Sequence, residues 1–313
     1  MIQINDNLKP YNILGFTKDN NILLVEAEKN LYFYNIEDDV FKEVNITLDE
    51  SDTIYYLYSF LIIVKSTQDN NMLQIYDVES TNLLDSISSN NSFDNIFDIS
   101  HNGQYILLQQ SDKYALWDIK ENKLQEYIDN DSQLFKAKFS EDCSYCILLK
   151  DKYISILNFK NSSYHNILED VDLMEAEALD IDIYRNNSVD YLVVAGYFKI
   201  DSNINNLLIF NLATNTIVNY SIISPTRRVP NVKNIVAITD KYIVLLAMYG
   251  FMDNNYILFY ADIKTGEYVT HERAIMALSI YKTYNSDDKK LVLMLCNDNY
   301  NNDRSEICIN RLT

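Results

Sequence analysis

Seven times along this 313-residue chain, a run of strand-forming residues ends in an apolar residue followed by Asp or Asn. The pairs are Tyr34-Asn35, Tyr76-Asp77, Trp117-Asp118, Leu157-Asn158, Phe210-Asn211, Ala261-Asp262 and Ile309-Asn310. Successive Asp/Asn positions lie 42, 41, 40, 53, 51 and 48 residues apart. A recurrence of this length marks an array of supersecondary units, each burying its apolar face against the next. The Asp or Asn has a local job: its side chain bonds the backbone amides that follow, which ends one strand and seeds the hairpin to the next.

Residues 93–128 show one unit in full, FDNIFDISHNGQYILLQQSDKYALWDIKENKLQEYI. Four runs rich in β-branched, Leu and aromatic residues are separated by three clusters of turn residues, which predicts a four-stranded antiparallel meander. The other units divide the same way. The first runs Tyr11–Thr17, Ile22–Glu26, Leu31–Ile36, Val40–Val44, and the second Thr53–Ser59, Leu61–Ser66, Met72–Val78, Leu83–Ile87. The fourth runs Phe135–Phe139, Tyr145–Leu149, Tyr153–Phe159, Tyr164–Leu168, followed by an acidic connector, Glu169–Glu177. The fifth is Ala178–Tyr184, Tyr191–Ala195, Leu207–Leu212, Ile217–Ser221; the sixth Val232–Thr239, Tyr242–Met248, Tyr256–Ile263, Tyr268–His271. The seventh, Ile275–Lys282, Leu291–Cys296, Ile307–Arg311, is one strand short. With only five Gly and three Pro, Asn and Asp must make most of the turns.

Ser100-His101-Asn102-Gly103-Gln104-Tyr105 stands where WD40-type repeats carry Ser-Pro-Asp-Gly-Lys-Tyr, and Trp117-Asp118 stands at their Trp-Asp position. The chain therefore resembles a divergent WD40-like repeat protein over nearly its whole length. It departs from that pattern in carrying the Trp only once and in lacking the Gly-His pair, so the usual His–Ser–Trp hydrogen-bond network is not expected. The resemblance implies an all-β, seven-bladed β-propeller of four-stranded antiparallel blades, one domain over residues 1–313. Met1–Asn5 alternates apolar and polar residues as a half-buried strand does. It is expected to pair with Ile307–Arg311 as the outer strand of the last blade, closing the ring and removing an exposed edge.

A net charge of −19 repels phosphate backbones, which argues against nucleic acid and anionic membranes as partners. MIQINDNLKP lacks the features of a signal peptide, and no apolar run approaches ~20 residues. A soluble, cytoplasmic protein is expected. Four Cys in a chain this long do not make a disulfide framework. Cys143-Ser144-Tyr145-Cys146 lacks a second pair for zinc; Cys143 aligns with Gly103 and Cys146 with a core strand position. His101, His165 and His271 fall in three different units without metal-site spacing. Asp201-Ser202-Asn203 and Asn297-Asp298-Asn299 lack the rest of a calcium loop and read as hairpin loops. GxSxG, Walker A and GxGxxG are absent from the sequence. Neither cofactor nor metal is expected.

One asymmetry points to a working surface. The segments between second and third strands are long in units five (Gly196–Asn206), six (Tyr249–Asn255) and seven (Asn297–Glu306). In propellers of the kind resembled, these share one face with the inter-blade connectors, among them Ser224–Asn231. Tyr197, Phe198, Arg227, Arg228, Tyr249, Phe251 and Tyr300 are the candidate contact residues, because Tyr, Phe and Arg anchor interfaces. The opposing reading is that these segments fold back over strand ends. The leading function is a non-catalytic scaffold or complex subunit that binds a protein or peptide, the arginine pair favouring an acidic segment. The alternative is a propeller hydrolase or lyase with its site at the channel mouth, which would require His and carboxylates to converge there.

Overall fold

The computed structural model describes residues 11–16, 22–26, 30–35, 38, 40–57, 60–66, 71–89, 93–110, 113–127, 132–159, 163–174, 176–223, 230–239, 241–248, 256–273, 280–285, 291–297 and 305–311. Among these, 27 strands form seven separate sheets. The first sheet holds β1 (Tyr11–Phe16), β2 (Ile22–Glu26), β3 (Leu31–Asn35) and β4 (Val40–Val44). The second holds β5 (Thr53–Leu57), β6 (Phe60–Ser66), β7 (Asn71–Asp77) and β8 (Asn82–Ser89). The third holds β9 (Phe93–Ile99), β10 (Tyr105–Gln110), β11 (Lys113–Asp118) and β12 (Lys123–Tyr127). The fourth holds β13 (Leu134–Phe139), β14 (Tyr145–Lys150), β15 (Ile154–Asn158) and β16 (Ser163–Ile167). The fifth holds β17 (Asp180–Asn186), β18 (Val189–Ile200), β19 (Asn203–Asn211) and β20 (Thr216–Ser221). The sixth holds β21 (Asn231–Ile238), β22 (Tyr242–Met248), β23 (Tyr256–Asp262) and β24 (Tyr268–Arg273). The last holds β25 (Ile280–Asn285), β26 (Leu291–Asn297) and β27 (Ser305–Arg311). Strands are neighbours in chain order throughout. The only helical turn among the described residues is a single 3₁₀ turn, Ala176–Ala178, and no described helix is long and apolar enough to cross a membrane. Met1–Asn5 lies outside the described residues.

The repeated Asp/Asn does the work its chemistry predicts. Asn35 Oδ1 accepts from Asp38 N (2.9 Å), Asp77 from Ser80 N (2.9 Å), Asp118 from Glu121 N (3.2 Å), Asn211 from Ala213 and Thr214 N (2.9 and 3.0 Å), and Asp262 from Lys264 and Thr265 N (both 2.9 Å). Four residues after the Asp/Asn, the chain turns left-handed: Thr81, Asn122, Asn215 and Gly266 have φ of 57°, 45°, 55° and 66°. A second shared device joins first to second strands. Ser100 N donates to Tyr105 O and Gly103 N to Ser100 O (both 2.8 Å); Ser140 N donates to Tyr145 O (3.0 Å) and Cys143 N to Ser140 O (2.9 Å). Cys143 (φ 56°) thus occupies the left-handed place of Gly103 (φ 70°).

By internal packing the chain divides into two units. One takes the described residues up to Ile96, Ile106–Tyr127, and those from Ile280 onward; the other takes Phe97–Tyr105 and 128–277. In the first, Leu31, Val44, Ile46, Leu61, Ile63 and Val78 form the core between sheets one and two. Trp117 is fully buried, and its indole Nε1 has no hydrogen-bond partner, as expected where the His–Ser–Trp network is missing.

In the second unit, strand alternation divides sheet five between two cores. Leu192, Val194, Leu208 and Phe210 face Ile147, Leu149 and Ile154 of sheet four. Val193, Ala195, Leu207 and Ile209 face Ile243, Leu245, Ala247 and Phe259 of sheet six. Burial on both faces explains why the second and third strands are near-continuous apolar runs, each Leu or Ile contributing about 1.5–3 kcal/mol. The fourth strands read differently: β20 alternates exposed and half-buried residues, leaving Val218 and Tyr220 in solvent.

Candidate functional site

The structure changes the reading of 196–206. β18 continues to Ile200 and β19 starts at Asn203, so the expected loop is a hairpin paired Phe198–Asn205, Lys199–Ile204 and Ile200–Asn203. Asp201 and Ser202 both turn left-handed (φ 50° and 67°), the geometry of the tight two-residue hairpin turn that follows strand twist. Gly196 sits in the bulge at φ 125°; a Cβ there would lie 2.6 Å from Leu179 Cδ2 and 3.2 Å from Leu179 Cα. The connector docks against this hairpin, because Asp172 N donates to Lys199 O (3.0 Å) and Lys199 N to Asp172 O (2.9 Å).

Phe198, expected on an exposed loop, lies instead on the inner face of this hairpin. It is fully buried with Val171, Leu173 and Ala176, since alternation along β18 turns it under the connector. Tyr197 is half-buried on the same strand. In sheet five the expected loop is an extension of β18 and β19, covered by the connector. Arg227, Arg228, Tyr249, Phe251 and Tyr300 lie outside the described residues. Their described neighbours are held closely: Asn231, Met248 and Tyr256 stand in one row across β21, β22 and β23. Ile223, four residues before Arg227, is clamped by Asn206, whose Oδ1 accepts from Ile223 N (2.7 Å) and whose Nδ2 donates to Ile223 O (3.4 Å).

Charge concentrates along the first strands of the second unit. Asp98 Oδ2 accepts from Phe139 N (2.9 Å), joining β9 to β13. Lys136 Nζ donates to Asp180 Oδ1 (2.8 Å), and Asp180 Oδ2 accepts from Ile235 N (2.7 Å), joining β13, β17 and β21 through one carboxylate. Burial pushes the Asp98 carboxyl up to about 6, opposed by Lys138 and the Phe139 amide. Asp98 and Asp180 thus serve as acceptors between strands. Among the described residues, no group of three or more His, Cys, Asp or Glu could hold a metal ion.

A further ionic cluster fastens sheets four and five. Tyr145 Oη donates to Asp190 Oδ2 (2.7 Å), and Arg185 reaches Asp190 (3.3 Å) and Asp142 (3.7 Å). Burial, reinforced by Asp190, drives the Tyr145 hydroxyl far above its ordinary value. Cys143 and Cys146 are buried free thiols, and burial raises Cys146 well above the usual thiol range, so it stays protonated. His101 and His165 are exposed, in a turn and on β16.

What sequence reasoning missed is the connector. Expected only as an acidic connector, it carries Val171, Leu173 and Ala176 into the core while exposing Met174. The signal was present in the alternation Val171-Asp172-Leu173.

No protein-family model matches the chain, and no curated protein sequence matches it. Among solved structures, a chain in the crystal structure of the mitotic checkpoint complex matches with a TM-score of 0.63 at 15% identity, over 100% of this chain and 89% of that one. The dihydro-heme d1 dehydrogenase NirN, in complex with DHE, matches with a TM-score of 0.55 at 10% identity, over 90% of this chain and 60% of that one. Both neighbours are WD40-like propeller folds. At these identities the likeness shows fold alone: an all-β protein of four-stranded antiparallel sheets with propeller neighbours.

Proposed function

We propose that this protein is a non-catalytic, cytoplasmic interaction scaffold or complex subunit. Its 313 residues form one seven-bladed propeller, closed by Met1–Asn5 pairing beside β27. The partner is a protein or peptide, and an acidic segment of it meets Arg227 and Arg228. An arginine pair in a chain of net charge −19 is a local positive spot that attracts and orients a carboxylate-rich segment. Tyr197, Tyr249, Phe251 and Tyr300 are the flanking aromatics; Phe198 supports the hairpin from beneath.

The observation that carries this reading is the row Asn231, Met248, Tyr256. Arg228 lies three residues before the first of these, and Tyr249 directly follows the second. Together with the Asn206 clamp on Ile223, this row anchors the flanks of both candidate segments on rigid strands, as a binding surface requires. The test is photo-cross-linking with p-benzoylphenylalanine at position 227, at 249 and, as a control, at Val40 on the exposed side of β4. The same partner band from 227 and 249, absent from 40, is expected. Equal labelling from all three positions contradicts the reading.

A further inference from the structure

A groove of about 530 Å³ opens in the second unit beside the connector. Phe135, Leu173, Met174 and two alanines form its apolar wall, and Asp151 and Glu177 bring carboxylates to it. Met174 is 43% exposed, while Leu173 and Ala176 beside it are buried. Asp151 belongs to the turn between β14 and β15, where its N donates to Gln133 O (3.0 Å). Its Oδ1 is buried, and no protein donor reaches it. Lys152, next in sequence, is exposed and does not line the groove.

Asp151 and Glu177 bring two carboxylates to the groove's lining, and a charged donor makes the stronger hydrogen bond to a carboxylate. The volume falls within the roughly 300–1,000 Å³ of pockets that hold small ligands. An apolar wall ending in two carboxylates suits an aliphatic stem carrying a cation, as lysine and arginine side chains do. Such a side chain complements both the groove and a chain of net charge −19. We infer that the groove takes one lysine or arginine side chain from an extended basic segment of a protein partner. The carboxylates of Asp151 and Glu177 accept from its cationic head, and Phe135 and Met174 cover its stem. The site is independent of the Arg227–Arg228 surface, which calls for the opposite charge.

The test is a titration of the full chain labelled with ¹³C-methyl methionine, reading the Met174 methyl. The probes are the N-acetyl, N-methylamide derivatives of lysine, arginine and norleucine, the last a neutral stem of similar length. Saturable movement of Met174 with lysine or arginine is expected, with a Kd on the order of millimolar and about tenfold or more tighter than norleucine. Asp151→Asn and Glu177→Gln should each weaken binding about fivefold or more; Glu177 is exposed, so its variant tests charge without disturbing the core. No saturable movement, equal binding of norleucine, or indifference to both carboxylate variants overturns the inference.

Discussion

Replacing Asp180 tests how the first strands of the second unit are held together. Its carboxylate accepts from Lys136 Nζ at 2.8 Å and from Ile235 N at 2.7 Å, so one side chain joins β13, β17 and β21. In Asp180→Ala, the half-buried Ile235 amide loses a charged acceptor, worth about 1.5–3 kcal/mol. Loss of the ion pair adds less. The Lys136 and Asp180 side chains are 33% and 15% exposed, and solvent screening discounts the pair to about 0–1 kcal/mol. Asp180→Ala should therefore destabilise by about 2–4 kcal/mol in urea unfolding. Asp180→Asn keeps an acceptor for Ile235 and should cost about 1 kcal/mol. A double-mutant cycle of Asp180→Asn with Lys136→Met isolates the ion pair, expected at about 1 kcal/mol or less. If Asn and Ala are equally damaging, the ion pair rather than the amide bond carries the link. If neither shifts the midpoint, the carboxylate does not hold these strands.

Other substitutions probe other features. Thr81 holds φ 57° at a hairpin position that Gly266 fills in sheet six, so Thr81→Gly should raise stability by about 1 kcal/mol in thermal melts, net of glycine's entropy; a lower Tm contradicts this. Gly196→Ala places a methyl 2.6 Å from Leu179 Cδ2 at a backbone conformation that disfavours side chains, and should cost about 2–4 kcal/mol in urea unfolding; a neutral result would show that Leu179 and its backbone can move away. Asp98 carries a folded-state value of about 6, raised by burial from 3.8, so between roughly pH 4 and 6 the native state holds a proton that the unfolded chain releases. This contribution makes stability fall as pH rises through that window, at up to about 1.4 kcal/mol per unit. Asp98→Asn should flatten that slope and be the more stable protein at pH 7 in pH-resolved urea unfolding; an unchanged slope contradicts the assignment.

The repeat was legible because its signals are local. Asn35, Asp77, Asp118, Asn211 and Asp262 at third-strand ends bond amides two or three residues on, and the Ser100 and Ser140 turns close within six residues. Cys143 in the place of Gly103 could be aligned for the same reason. The turn at Asp201-Ser202-Asn203 was legible from composition, but the extension of β18 and β19 through 196–206 was not, because Gly196 and the Asn residues read as loop. Here Gly196 forms a bulge against Leu179, and Asp201-Ser202 compresses into a two-residue turn. That decides the fate of Phe198: an aromatic residue on a loop anchors a partner, whereas the same residue on a hairpin beneath a docked connector joins the core. The staples between first strands were equally hidden, since Asp180 reaches residues 44 and 55 positions away in the chain. The groove was hidden because its lining brings together Phe135, Asp151 and residues 173–178, which lie far apart in the chain.

Quantitative mass spectrometry of proteins co-purifying from the native host tests the scaffold function most directly. The full chain is compared with Arg227→Glu/Arg228→Glu, after far-UV circular dichroism and melting show that both are folded alike. Charge reversal should deplete a defined set of partners about tenfold or more, as expected when a central charged anchor worth ~1.4 kcal/mol or more is lost. Recovery of the same partners at the same yield from both proteins would contradict it.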